Sequence, residues 1–196
     1  MNYLAIDTSS DICSVTVALN GKINTFEKDN IREHSEYLPL FCKRLFGNNS
    51  YDAIDFIALS IGPGSYAGLK TSSSFVKGLS FAVDKPIIPV ETFKGMNLSV
   101  INKEKYYISL YSHRDYAYYQ LYNHKGPLDD FICGKIKNMR TYKIYGYGFN
   151  NCKYDINHEE IKPSSKNIGM IAQGKYNNLP IQDADSVSPI LLSMEK

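Results

Sequence analysis

The sequence predicts an α/β fold of two small domains, each a mixed sheet that opens with a β-hairpin and is flanked by helices. Three observations carry that expectation. Short apolar runs of strand character (YLAI, SVTVAL, DFIALSI, IIPV) alternate with two longer segments whose apolar residues recur at helical offsets. Asn20-Gly21 stands between apolar runs, the strongest short-range hairpin signal. At 102–105 the composition turns polar, and strand character then begins again with YYISLY and YAYYQLY. The expected domains are therefore 1–102 and 103–196.

Each element follows from local chemistry. Tyr3 to Ile6 and Ser14 to Leu19 read as strands, with Ile23 and Phe26 on a returning third. From His34 to Phe46 the residues Tyr37, Leu38, Leu40, Phe41, Leu45 and Phe46 keep helical spacing, and Gly47-Asn48 ends it. Their apolar coverage is wider than a single stripe, so this helix needs a second packing surface, inside the protein or on a partner. Pro39 must lie near its first turn or bend it. Asp55 to Ile61 is a buried strand, Ser65 to Val83 a helix that Pro86 stops, and Ile87 to Val90 another strand. In the second half the two tyrosine-rich strands, joined by SHRD, faintly echo the opening hairpin. After them come a helix-like stretch from Leu128 to Met139, a strand in TYKIYGYG, and a short helical segment reaching Ala172.

Composition excludes several classes. Net charge is +2 without a long basic block, so no electrostatic footprint for nucleic acid stands out. The apolar runs are too short to span a bilayer, and MNYLAIDTSS lacks the basic flank and apolar core of a signal peptide; a cytoplasmic protein is expected. Cys13, Cys42, Cys133 and Cys152 are scattered, which suits reduced, packed thiols. The four histidines are isolated, so no metal site is expected; in EHSE, His34 reads as part of a polar helix start.

The segment IGPGSYAGLKTS invites a phosphate-binding reading that its spacing does not support. Lys70 lies two residues after Gly68, where a P-loop needs it directly after the glycine. Gly62, Gly64 and Ala67 fit G-x-G-x-x-[GA], yet Asp84 precedes the next strand instead of ending it, so it would sit at the wrong edge for a ribose. A tight strand-to-helix connection is the better reading. Asp7, Thr8 and Ser9 at the end of the first strand form a weak nucleotide-binding candidate, since an acidic group with hydroxyls suits phosphate and its magnesium ion. The same residue types also make ordinary turns.

Taken together, AIDTSSDICSVTV, REHSEYLP, IGPGSYAGLKTSSSFVKGLSFA and PIIPVETF resemble the N-terminal half of the TsaB family, tRNA threonylcarbamoyladenosine biosynthesis proteins related to TsaD and to the actin, sugar-kinase and Hsp70 superfamily. The second half resembles the family more loosely and is shorter. Arg114 is kept in its first turn, while Ser112 stands where the family tends to carry Asp. The resemblance implies a non-catalytic subunit that binds and supports TsaD, with the ATPase TsaE, in threonylcarbamoyl transfer to the adenosine beside the tRNA anticodon. It reaches tRNA through the complex. TsaD-like enzymes place a metal-binding H-x-x-x-H just after the strand matching IIPV; here those positions are Thr92 and Met96.

The resemblance further implies that the first two helices face their TsaD equivalents. Helical spacing then nominates His34, Tyr37, Phe41 and Arg44 on the first and Ser65, Tyr66, Lys70 and Ser73 on the second as partner-binding residues. No cofactor is implied for the chain alone, with room left for ATP or ADP at a partner interface. Two further readings stay open: a small kinase- or ATPase-like nucleotide-binding protein of the same superfamily, and a homodimer formed through the same helices.

Overall fold

A computed structural model describes residues 1–31, 33–139, 142–176 and 186–192. The first sheet is built from β1 (Tyr3–Asp7), β2 (Cys13–Leu19), β3 (Lys22–Lys28), β4 (Phe56–Ser60) and β5 (Ile87–Val90), in the order β3-β2-β1-β4-β5. Asn20 and Gly21 both take positive φ, 52° and 78°, as a two-residue hairpin turn with the twist of its strands requires. β1 pairs antiparallel with β2 and parallel with β4, and β4 runs parallel to β5.

Both faces of this sheet are covered, which explains why β1 and β4 are buried throughout, with apolar runs up to Asp7 and Ser60 rather than alternation. Leu4, Ile6, Ile57 and Leu59 join a core cluster with α1 (His34–Phe46) and α2 (Tyr66–Val83). Tyr3, Ala5, Phe56 and Ala58 point the other way, against α4 (Ser165–Tyr176). Gly169 of α4 lies so close to Tyr3 that an added Cβ would come within 2.4 Å of its ring. A helix from the C-terminal half thus completes the N-terminal sheet.

Helix α1 spans the segment that periodicity predicts, with Pro39 exposed in its second turn. Much of its excess apolar circumference is satisfied by its own chain, with Leu40 left exposed. Phe41 stacks on Phe26 of β3 at 5.7 Å and meets the Tyr37 ring at 5.7 Å in a tilted contact, while the Lys28 ammonium sits 4.1 Å above the Tyr37 ring. Ser65 caps α2, its side chain accepting from the Gly68 N–H.

The second sheet contains β6 (Tyr106–His113), β7 (Tyr116–Asn123), β8 (Gly126–Pro127), β9 (Ile132–Lys135), β10 (Lys143–Tyr147) and β11 (Glu159–Glu160). Its order is β11-β10-β6-β7-β8, with β9 also paired to β7. β6 relates to β7 and β10 as β1 relates to β2 and β4, antiparallel on one side and parallel on the other. The two sheets share one topology that the sequences barely echo. Between them α3 (Thr92–Asn97) sets Phe93 and Met96 into the core of the second sheet, beside Tyr106 and Tyr122.

One predicted element is corrected. Leu128 to Met139 forms no α-helix: it holds the tail of the β8 turn, strand β9 and a single 3-10 turn at Ile136–Asn138. Strand β7 explains the difference, because its long edge offers backbone groups that Ile132–Lys135 pairs antiparallel against, and Gly134 lets Tyr119 lie directly over the strand.

Candidate partner-binding face and cleft

The turn that leaves β1 and the first turn of α2 are locked together. The Ser65 N–H donates to the Ser9 carbonyl at 2.7 Å, and the Thr8 hydroxyl donates to the Gly68 carbonyl at 2.8 Å. An added Cβ on Gly68 would lie 2.1 Å from the Thr8 carbonyl oxygen. The glycines of IGPGSYAG therefore admit this chain's own backbone, as a tight strand-to-helix connection requires. Asp7 is buried; its Oδ1 accepts from both the N–H and the hydroxyl of Ser9, and its Oδ2 has no hydrogen-bond partner among the described residues. Burial pushes its pKa above the ordinary carboxylate range, against the pull of the Ser9 bonds. Asp7, Thr8 and Ser9 are thus brought together at one turn, with much of their polar capacity engaged locally.

Beside this turn a cleft of about 600 Å³ opens between the two sheets. Ser9, Ser10 and Ser65 line one wall, Tyr111, Tyr118 and Tyr147 the other. Strand alternation explains the tyrosines packed elsewhere on β6 and β7, but nothing in the sequence signals that these three converge on a shared cavity.

The outward face of the two helices is rotated from the one periodicity nominates. On α1 the exposed side chains include Glu36, Leu40, Lys43 and Arg44; Tyr37 is half-buried, and His34 and Phe41 are buried. Burial also holds the pKa of His34 below the usual imidazole value. On α2, Tyr66, Lys70, Ser74 and Phe81 form the exposed stripe, with Phe81 91% exposed, while Ser65 is half-buried and Ser73 buried. Arg44, Tyr66 and Lys70 hold the open positions expected of them. Phe41, His34 and Ser73 do not: a step of one residue turns a helix by about 100°, and β3, which covers Phe41, is invisible to a pattern read within the helix alone. Leu40 and Phe81, apolar positions that helical spacing does not nominate for the partner face, stand exposed. Lys70 sits 4.3 Å above the Tyr66 ring and hydrogen-bonds its hydroxyl, fixing an aromatic and a cation together. Between the helices, Leu38, Phe75 and Thr71 line a groove of about 420 Å³.

Thr92 and Met96 share one face of α3 and are fully buried. The Thr92 and Ser60 hydroxyls are hydrogen-bonded at 2.9 Å, and the Met96 side chain packs among aromatics. That pair does not fit the metal its TsaD-like counterparts hold. Among the described residues no group of three or more His, Cys, Asp or Glu could bind a metal ion, and no helix is long and apolar enough to cross a membrane.

Two sheets of matching strand order, with helices on the first and a cleft between them, define a protein of the actin-like ATPase fold. A solved Pseudomonas aeruginosa protein, described as uncharacterized with similarity to peptidase YEAZ, has this fold at a TM-score of 0.82, with 18% identity over 98% of this chain and 99% of that one. The solved YeaZ of Pseudomonas aeruginosa gives 0.78, with 18% identity over 97% and 99%. In sequence, the family model described as TsaD, tRNA N6-adenosine threonylcarbamoyltransferase, matches residues 28–123. The chain is 28% identical over 98 residues to the tRNA threonylcarbamoyladenosine biosynthesis protein TsaB of Haemophilus influenzae, covering 49% of this chain and 42% of that protein. It is 31% identical over 105 residues to TsaB of Buchnera aphidicola, covering 52% and 48%. Over about half its length the chain is similar in sequence to TsaB proteins, and it spans about half the length of the TsaB relatives it matches.

Proposed function

We propose that the chain acts in tRNA threonylcarbamoyladenosine biosynthesis as a non-catalytic subunit. It binds TsaD and, with TsaE, supports threonylcarbamoyl transfer to the adenosine beside the anticodon. The observation that carries this reading is the open face of the paired helices α1 and α2, where Leu40, Tyr66 and Phe81 stand exposed among Lys43, Arg44 and Lys70. Exposed aromatics beside cations are what interface hot spots are made of. The donor chemistry of Thr92 and Met96 supports the division of labour, because the metal-dependent step then falls to the partner. In this reading 1–102 supplies the docking subdomain, 103–196 is a shortened second subdomain, tRNA is met through the complex, and the protein works in the cytoplasm. A homodimer through the same helices forms only when TsaD is absent.

The test is co-purification with TsaD of the same organism, followed by a tRNA modification assay with TsaE. Stable association and a requirement for this chain in modification are expected. A wild-type chain that neither associates with TsaD nor supports modification would falsify the proposal. ATP turnover by the isolated chain, lost on Asp7→Asn, would assign the kinase-like reading instead.

A further inference from the structure

The far end of the chain also holds α2 in place. Val187 is buried in the core cluster that contains Leu59, Val76 and Ile87, with Ile61, Phe75 and Leu79 packed on it. Three residues on, the Ile190 N–H donates to the Ile61 carbonyl at 2.7 Å. Gly62, at φ +110°, lies between this segment and the helix: a Cβ there would sit 2.9 Å from the Ile190 carbonyl oxygen and 3.0 Å from Leu69 Cδ1. Only glycine permits that three-layer contact of tail, loop and first helical turn.

We propose that Ser186–Leu192 is a strap that positions the lead-in to α2, and that its seating controls the helix face used for docking. The physical logic is a second clamp. The Thr8–Ser9 turn holds the lead-in through Ser65 and Gly68, and the strap holds it through Ile61 and Gly62. The strap meets the lead-in through the Val187 side chain, the Ile190 N–H and the Ile190 carbonyl beside Gly62, contacts separate from the strand pairing of the sheet, so it can release while the sheet stays intact. Release frees the Ile61–Gly64 loop and lets the first turn of α2, with Tyr66 and Lys70, leave the orientation that docking needs.

This inference rests on the docking role proposed above, but it has its own readout. Hydrogen exchange is measured on the wild type, on Val187→Ala and on Ile190→Pro, which removes the donor to Ile61 together with the Ile190 side chain; Leu191→Ser, at an exposed position, is the control. Exchange at the Ser65 and Leu69 amides is expected to rise about tenfold or more in both strap variants, with Val15 and Val17 in β2 unchanged and the control like wild type. Unchanged exchange at Ser65 and Leu69, or a uniform rise that includes β2, overturns the strap. Affinity for TsaD is then expected to fall in step with the exchange. A selective exchange response with undiminished affinity overturns the strap's control of docking, whereas a wild type that never binds TsaD counts against the docking role alone.

Discussion

The α-carbon of Gly64 lies so near the Ser9 carbonyl that a Cβ built on it would be 2.2 Å from the oxygen. That contact, with the Gly68–Thr8 approach one helical turn on, joins the end of β1 to the start of α2 through backbone rather than side chains.

Gly64→Ala and Gly68→Ala are therefore each expected to destabilise the fold by about 3 kcal/mol, the upper range for forcing a methyl into a packed site. Gly78→Ala, with nothing near its Cβ and an ordinary helical position, is expected to gain about 1 kcal/mol. Chemical denaturation of the three variants measures both signs.

The rotated helix faces separate docking from folding. Tyr66→Asp and Lys70→Glu are expected to weaken TsaD binding by about tenfold or more while leaving stability within about 0.5 kcal/mol. Phe41→Ala, which empties a buried ring site between Phe26 and Tyr37, is expected to cost about 3 kcal/mol or more of stability. Titration calorimetry beside thermal denaturation distinguishes the two groups.

The buried carboxyl of Asp7 gives a pH dependence of known sign. Its folded pKa is raised from 3.8 by desolvation, so the protonated form favours the fold. This contribution is complete below the ordinary value and is lost as pH rises through the raised one. Asp7→Asn keeps an acceptor for Ser9 and carries no charge to bury. Its melting temperature minus that of the wild type is expected to grow as pH rises above about 4, the ordinary Asp value; a difference that shrinks as pH rises contradicts the assignment.

Thiol reactivity should follow burial. Cys13 and Cys42 are buried with pKa values pushed up to about 12, chiefly by desolvation, whereas Cys152 is half-buried. Under native conditions near pH 8, a thiol reagent is expected to label Cys152 well before Cys13 or Cys42, which react only on unfolding. Mass spectrometry of quenched samples reads the order.

Much of this architecture was legible in the chain. The Asn20-Gly21 turn, the bounds of α1 and α2, the five strands of the first half and the new start of strand character after 102–105 all rest on local signals: an Asn-Gly pair between apolar runs, helical spacing, an apolar run. The second half read less well. Leu128 to Met139 has apolar residues at offsets that suit a helix, and only the hydrogen-bonding demand of the β7 edge makes part of it a strand.

The sequence alone determined the elements of the first half and the side-chain types, threonine and methionine, that stand at 92 and 96. Tertiary structure alone decided which way those elements face. Whether Phe41 looks outward depends on Phe26, fifteen residues earlier, and whether Gly62 can be replaced depends on Ile190 at the far end of the chain. Periodicity is a property of one element, but burial is a property of two, and the second partner is named only when the chain has folded back upon itself.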